Sequence, residues 1–180
     1  FIISSIDNLK FVTKDVNEKL KDKLSSISSF TSETIFQFRD TIWAMNKSEI
    51  TMEDLHARIL SFIEKAKTAT ENTTFSLNNS INSSVKFTSL IGINLFRVIQ
   101  EAINNSIKYA EASEIKIDLI EENNQIVISI NDNGKGFDVN EITFGNGLSN
   151  LEKRMSEIEG KVKIETKINA GTNIIFSVNT

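Results

Sequence analysis

Apolar residues recur every three or four positions through the first third of the chain and at alternate positions through much of its second half. The first spacing is that of a helix with one buried side, the second that of a half-buried strand. From about Val16 to Met45, Leu20, Leu24, Ile27, Ile35, Phe38, Ile42 and Met45 make a stripe interrupted by Thr31 and Thr34, while Phe36 and Trp43 lie on another face. A long helix with two apolar faces needs more than one neighbour, which predicts a helical hairpin that dimerises. Phe1, Ile2, Ile3, Ile6 and Leu9 read as the tail of a preceding helix, with a turn at Thr13-Lys14-Asp15. The pattern is already under way at Phe1, without an initiator Met, so a piece of a longer protein is expected.

Asn46-Lys47-Ser48-Glu49 breaks the helical pattern and marks the expected boundary between a unit over residues 1–46 and one over 50–180. Thr51 can cap a helix whose Leu55, Ile59, Phe62 and Ala66 share one side. Thr73 to Leu77 suits a short strand, Asn78 to Ser84 a polar loop, and Thr88 or Ser89 opens a helix reaching about Ala110. Ile115, Ile117 and Leu119, then Ile126, Ile128 and Ile130 beyond Glu122-Asn123-Asn124, predict an antiparallel hairpin with one buried face. Leu148, Leu151, Met155 and Ile158 form an amphipathic helix with Gly160 at its C-terminal cap. Strands near Val162 to Thr166 and Thr172 to Val178 complete an α+β fold of helices layered on one sheet.

Composition narrows the function. A net charge of -4 and a pI near 5.2 argue against nucleic acid or an anionic membrane as the main partner. No cysteine is present, which excludes disulfide, thiolate and zinc-thiolate chemistry and fits a reducing cytosolic setting. No apolar run approaches the roughly 18 residues of a spanning helix. The absence of proline suits long helices.

The chemistry gathers in three segments. At about 100° per residue, Glu101, Asn105 and Lys108 fall within about 60° of one another, opposite Phe96, Ile99, Ile103, Ile107 and Ala110. One face thus packs on the sheet while the other offers an acid, an amide oxygen suited to magnesium and an ammonium suited to phosphate. Taken alone, this helix is better read as a solvated face. Asp132 alters that balance, because it shares the parity of Ile126, Ile128 and Ile130 and should point toward the apolar layer, where a carboxylate needs a donor. An adenine amino group would serve. The alternative is that Asp132 opens an Asp-Asn-Gly turn, although no partner strand follows it. Four of the seven glycines, Gly134, Gly136, Gly145 and Gly147, lie between positions 134 and 147. The last two precede a helix N-terminus able to hold an anion, or form an ordinary flexible turn. Neither a Walker loop nor a dinucleotide fingerprint is present.

Gln100-Glu101-Ala102-Ile103-Asn104-Asn105-Ser106-Ile107-Lys108-Tyr109-Ala110 resembles the N-box of sensor histidine kinases, Asp132-Asn133-Gly134-Lys135-Gly136 their G1 box, Gly145-Asn146-Gly147-Leu148 their G2 box, and Ala170-Gly171-Thr172 their closing Gly-Thr element. The resemblance implies the GHKL (Bergerat) ATPase sandwich of helices on one mixed sheet, with ATP and Mg²⁺ as cofactors. By it, Asn105 binds magnesium, Asp132 takes the adenine amino group and Thr172 supports Asp132 through water. Glu101 orients a water or assists proton transfer, Lys108 contacts phosphate, and Asn104, Tyr109, Gly134, Gly136, Gly145, Gly147 and Leu148 complete the nucleotide site. Tyr109 stands where close relatives often carry histidine. Phe38-Arg39-Asp40-Thr41-Ile42-Trp43-Ala44-Met45-Asn46 resembles the end of the second dimerisation helix of the nitrate and membrane-fluidity sensors, and Phe137 to Phe144 their short ATP lid.

That subfamily carries its phosphorylated histidine on the first dimerisation helix, in a segment absent here and therefore expected before Phe1. The implied partners are a second copy of the full-length protein and the receiver domain of a response regulator, in the cytoplasm, with membrane contact only through upstream segments. His56, the single histidine, lacks that motif and is read as an ordinary helix residue. Two rival readings remain: a serine kinase of the anti-sigma type, against which residues 1–46 count, and a nucleotide-binding or dimerisation module without kinase activity.

Overall fold

A computed structural model describes residues 18–45, 47–70, 72–138 and 146–179. The chain divides between Asn46 and Lys47 into two compact units. In the first, α1 (Glu18–Met45) runs unbroken for 28 residues. Thr31 and Thr34, which interrupt the apolar stripe, donate their hydroxyls to the carbonyls of Ile27 and Phe30 one turn back, each at 2.8 Å. Their polar groups are thereby satisfied within the helix. Leu20, Ile27, Phe30, Ile35, Phe38 and Ile42 stand exposed. The expected helix tail at Phe1–Lys10 and the turn at Thr13–Asp15 lie outside the described residues.

The second unit comprises β1 (Glu49–Thr51), α2 (Met52–Ala69), β2 (Thr74–Asn79), β3 (Lys86–Thr88), α3 (Ser89–Asn105) continued by a π-helical turn (Ser106–Ala110), β4 (Glu114–Glu122), β5 (Gln125–Asp132), α4 (Asn146–Ser156), β6 (Lys161–Thr166) and β7 (Thr172–Asn179). Five strands form a mixed sheet in the order β2-β4-β5-β7-β6, with β2 parallel to β4 and the other pairs antiparallel. The fold is α+β, as the hydrophobic pattern predicts.

Alternation sets the register. Ile117 and Leu119 lie opposite Ile130 and Ile128, which in turn lie opposite Ile174 and Phe176, and all six are buried. A slip of one residue would turn this whole face to water, so the pairing is strongly specified. Asn123 and Asn124, with φ of 52° and 60°, form the two-residue link between β4 and β5, in the left-handed conformation such hairpins need. Above this face, α2 contributes Leu55, Ile59 and Ala66, as expected, and also Met52 and Ile63; Phe62 is half-buried, edge-on to Phe96 at 6.4 Å. From α3 come Leu95, Phe96, Val98, Ile99, Ala102 and Ile103, and from α4 and its following turn Leu151, Met155 and Ile158.

The capping signals act as read. Thr51 and Asp54 bond reciprocally at 3.1 Å in a capping box, and the Thr88 hydroxyl accepts the Ile91 N–H at 3.2 Å. Two details differ from expectation. Gly160 is not the left-handed residue that closes α4. That conformation falls on Glu159 (φ 56°), while Gly160 lets the chain pass close to Met155 and β7, where a Cβ would come within 2.9 Å of the Ser177 carbonyl. The β1–β3 ladder, in which Ile50 opposes Phe87, is too short to show as alternation. Among the described residues, no helix is long and apolar enough to cross a membrane.

Candidate functional site

Asp132 ends β5 but is still paired on both sides, with Ile115 of β4 and Thr172 of β7. Its side chain therefore keeps the inward parity of Ile130 and is only 5% exposed. Two donors meet the carboxylate: the Ser106 hydroxyl reaches Oδ2 at 2.8 Å and the Gly134 N–H reaches Oδ1 at 2.9 Å. The second contact is the one an Asp-Asn-Gly turn would make, yet here it sits on a strand flanked by two partners. The donor that the parity of Asp132 calls for is thus supplied within the fold, by Ser106 and Gly134.

The segment after Asp132 is fastened on each side. Asn133 Oδ1 accepts the N–H groups of Ser113 and Glu114, both at 3.0 Å, and the Lys135 N–H donates to the Ala110 carbonyl at 2.8 Å. A Cβ on Gly134 would come within 2.3 Å of that same Ala110 oxygen, so only glycine lets the loop lie against the π-turn. Gly136 has φ +56°, and a Cβ there would meet the Lys167 carbonyl at 2.0 Å. Glu111 accepts from Lys135 Nζ at 2.7 Å, and this ammonium holds the Glu111 carboxyl below its ordinary range. Next to Asp132, the Thr172 hydroxyl lies 3.2 Å from that of Thr166, which also accepts the Phe137 N–H at 3.1 Å.

On the facing side, α3 widens into the π-turn at Ser106. Such single turns are frequent at functional sites, and this one alters the angular bookkeeping of an ideal helix. Ser106 and Ala110 are buried, Ile107 is only half-buried rather than on the core face as expected, and Lys108 and Tyr109 stand exposed. Glu101 and Asn105 meet the first turn of α4. A Cβ on Gly147 would lie 2.9 Å from Glu101 Oε1 and 3.6 Å from Asn105 Nδ2.

These elements enclose a cavity of about 630 Å³ lined by Glu101, Asn105, Ser106, Lys108, Tyr109, Ala110, Asp132, Lys135, Gly136, Phe137, Gly147, Leu148, Thr172 and Ile174. Its volume is that of a small-molecule or cofactor site. Of the residues singled out in the sequence, Glu101, Asn105, Lys108, Tyr109, Asp132, Gly136, Gly147, Leu148 and Thr172 converge here. Asn104, a helical step round from Asn105, does not line the cavity, nor does Gly134, whose contact is with the π-turn. Gly145 and most of the expected lid lie outside the described residues. His56 is half-buried on α2 and is not part of the lining. The sequence reading missed Ser106, Lys135 and Ile174. Ile174 was findable from its parity with Thr172, whereas nothing local separates Ser106 from an ordinary helical serine.

The cavity gathers the fixed carboxylate of Asp132, apolar Ile174 and Leu148, the ammonium of Lys108, the amide of Asn105 and the N-terminus of α4. Residues 91–180, half of the chain, match the family described as histidine kinase-, DNA gyrase B- and HSP90-like ATPase. The chain is 30% identical over 167 residues to the signal transduction histidine-protein kinase/phosphatase DegS of Brevibacillus brevis, covering 92% of this chain and 42% of that protein's length. Among solved structures it resembles the histidine kinase AdeS of Acinetobacter baumannii (TM-score 0.67, 15% identity, 99% of this chain and 93% of that one). It also resembles the histidine kinase domain of the blue-light activated kinase EL346 of Erythrobacter litoralis (TM-score 0.63, 13% identity, 98% and 93%) and the catalytic domain of histidine kinase ThkA (TM-score 0.58, 21% identity, 73% and 93%). At these identities the solved structures show the fold alone. With half of the chain matched to the family and the fold shared with its structures, the chain belongs to the histidine kinase-, DNA gyrase B- and HSP90-like ATPases.

Proposed function

We propose that this chain is the ATP-binding catalytic portion of a two-component sensor histidine kinase, joined to the end of a dimerising helical hairpin over residues 1–46. The observation that carries the reading is the convergence of Asp132 and Thr172 with Glu101, Asn105, Lys108 and the first turn of α4 on one cavity. Asp132 takes the amino group of adenine, with Thr172 in support. Lys108 and the N-terminus of α4 neutralise phosphate. Glu101, beside Asn105, orients water or assists proton transfer.

Magnesium fits this arrangement. Among the described residues no cluster of three histidine or acidic side chains could cage a metal. A site with Asn105 as its protein ligand suits an ion that keeps water and nucleotide oxygens as its other ligands. When bound, Mg²⁺ supplies charge neutralisation at the phosphates. The protein's share is then positioning: the γ-phosphorus is presented in line to an imidazole nitrogen, the bond to the β,γ-bridging oxygen breaks, and ADP leaves. In this reading the acceptor is a histidine of the first dimerisation helix, and the phosphoryl group passes onward to a response-regulator aspartate. The similarity to the DegS kinase/phosphatase supports this over an anti-sigma serine kinase, because it extends over 92% of the chain. The resemblance of Phe38–Asn46 to the nitrate and membrane-fluidity sensors supports that subfamily. With this reading goes a cytoplasmic location.

The test is to incubate the full-length protein with γ-labelled ATP and magnesium. Acid-labile, alkali-stable label on a histidine is expected, lost when Asn105→Asp or Asp132→Ala is introduced. Nucleotide binding without any label would leave the non-kinase module as the better reading.

A further inference from the structure

Asp132 is held by more than its strand. The ladder to Ile115 and Thr172 fixes the direction of its Cβ, but the carboxylate plane turns about a broad, roughly two-fold torsion. One donor on each oxygen removes that freedom. Gly134 supplies one from the adjoining backbone at 2.9 Å. The other comes from a different element, the first residue of the π-turn, as the Ser106 hydroxyl at 2.8 Å from Oδ2.

That hydroxyl has a choice. A helical serine ordinarily bonds back to the carbonyl four residues earlier, and Ala102 O lies 3.2 Å from Ser106 Oγ. With one proton and two acceptors, the shorter contact to an ionised group is the stronger. Ser106 is 4% exposed and Asp132 5%, so their pairing is shielded from competing water. Both also line the cavity.

We propose that Ser106 is a positioning residue for base selection: by donating to Asp132 Oδ2 it fixes the carboxylate plane, so that a free acceptor lone pair faces the 6-position of the bound purine. A 6-amino group donates to that lone pair, whereas a 6-oxo group confronts it with a second acceptor. The inference rests on the reading that Asp132 receives the base. Without the Ser106 hydroxyl the carboxylate plane rotates and the preference for amino over oxo weakens, while the phosphate end of the cavity, on Lys108 and α4, is untouched.

The experiment is calorimetric titration of the whole chain with ADP and with inosine diphosphate, which differ at the 6-position, for the unaltered protein and for Ser106→Ala, Ser106→Cys and Asp132→Ala. Ser106→Ala is expected to weaken ADP about tenfold and inosine diphosphate no more than about twofold, contracting the preference about fivefold. Ser106→Cys keeps the approximate volume with a much weaker donor and should contract it likewise, so the outcome does not depend on one variant. A merely structural serine would lower both affinities together and leave their ratio unchanged, which overturns the inference. If Asp132→Ala abolishes the preference while the Ser106 variants preserve it, the base assignment stands and the role of Ser106 falls. If Asp132→Ala preserves it too, the base assignment itself falls.

Discussion

At the scale of single residues, the site is governed by close approaches that few side chains permit. Asp132→Ala removes the acceptor at the floor of the cavity and is expected to weaken ADP by at least about tenfold in a calorimetric titration. Gly171 sits at φ +75° with the Asp132 carbonyl 2.0 Å from where a Cβ would be. Gly171→Ala must therefore displace either its own turn or the β5 strand end. A loss of roughly 2 kcal/mol or more is expected in urea unfolding, accompanied by weaker ADP binding, because the displaced group belongs to Asp132. Asp132 was legible in the sequence because strand parity needs only neighbours along the chain. Ser106 was not, since its partner lies 26 positions away and a serine in a helix says nothing of which acceptor its proton will choose.

At the scale of elements, local signals fixed the helix starts. The capping box at the start of α2 carries an added load: Lys47 also donates to Asp54, and together with the Thr51 N–H it holds the Asp54 carboxyl below its ordinary value of 3.8. A carboxyl depressed by folding stabilises the protein above its unfolded pKa and ceases to do so as pH falls through the folded value. Asp54→Asn is thus expected to cost about 1 kcal/mol at pH 7. The gap between variant and parent should close as pH drops below about 4 and past the lowered folded pKa, as read from urea midpoints at a series of pH values. Helix ends were less legible. The widening of α3 at Ser106 falls where the helix meets Asp132 and the Gly134 loop, and an ideal repeat carried through that point placed Ile107 on the core side when it is only half-buried.

At the scale of the whole molecule, the two units differ in what they bury. The unit over residues 47–180 has its own sheet, helices and core. Expressed alone, it is expected to unfold cooperatively and to bind ADP within about twofold of the full chain. By contrast, α1 exposes Leu20, Ile27, Phe30, Ile35, Phe38 and Ile42 along its length, an apolar surface that a stable neighbour would cover. Light scattering is expected to show the chain self-associating and residues 47–180 monomeric; a monomeric full chain would count against the hairpin reading of residues 1–46. The sequence by itself determined the fold class and the one-faced β4–β5 hairpin, because periodicity, capping and parity act between residues close in the chain, while most of the cavity's residues were named through the resemblance of the motifs. Only the tertiary structure decided which donors hold Asp132, where α3 departs from an α-helix, and that Gly134 and Gly160 serve packing. Each of those depends on a contact between segments that meet only when the sheet and its helices have closed on one another.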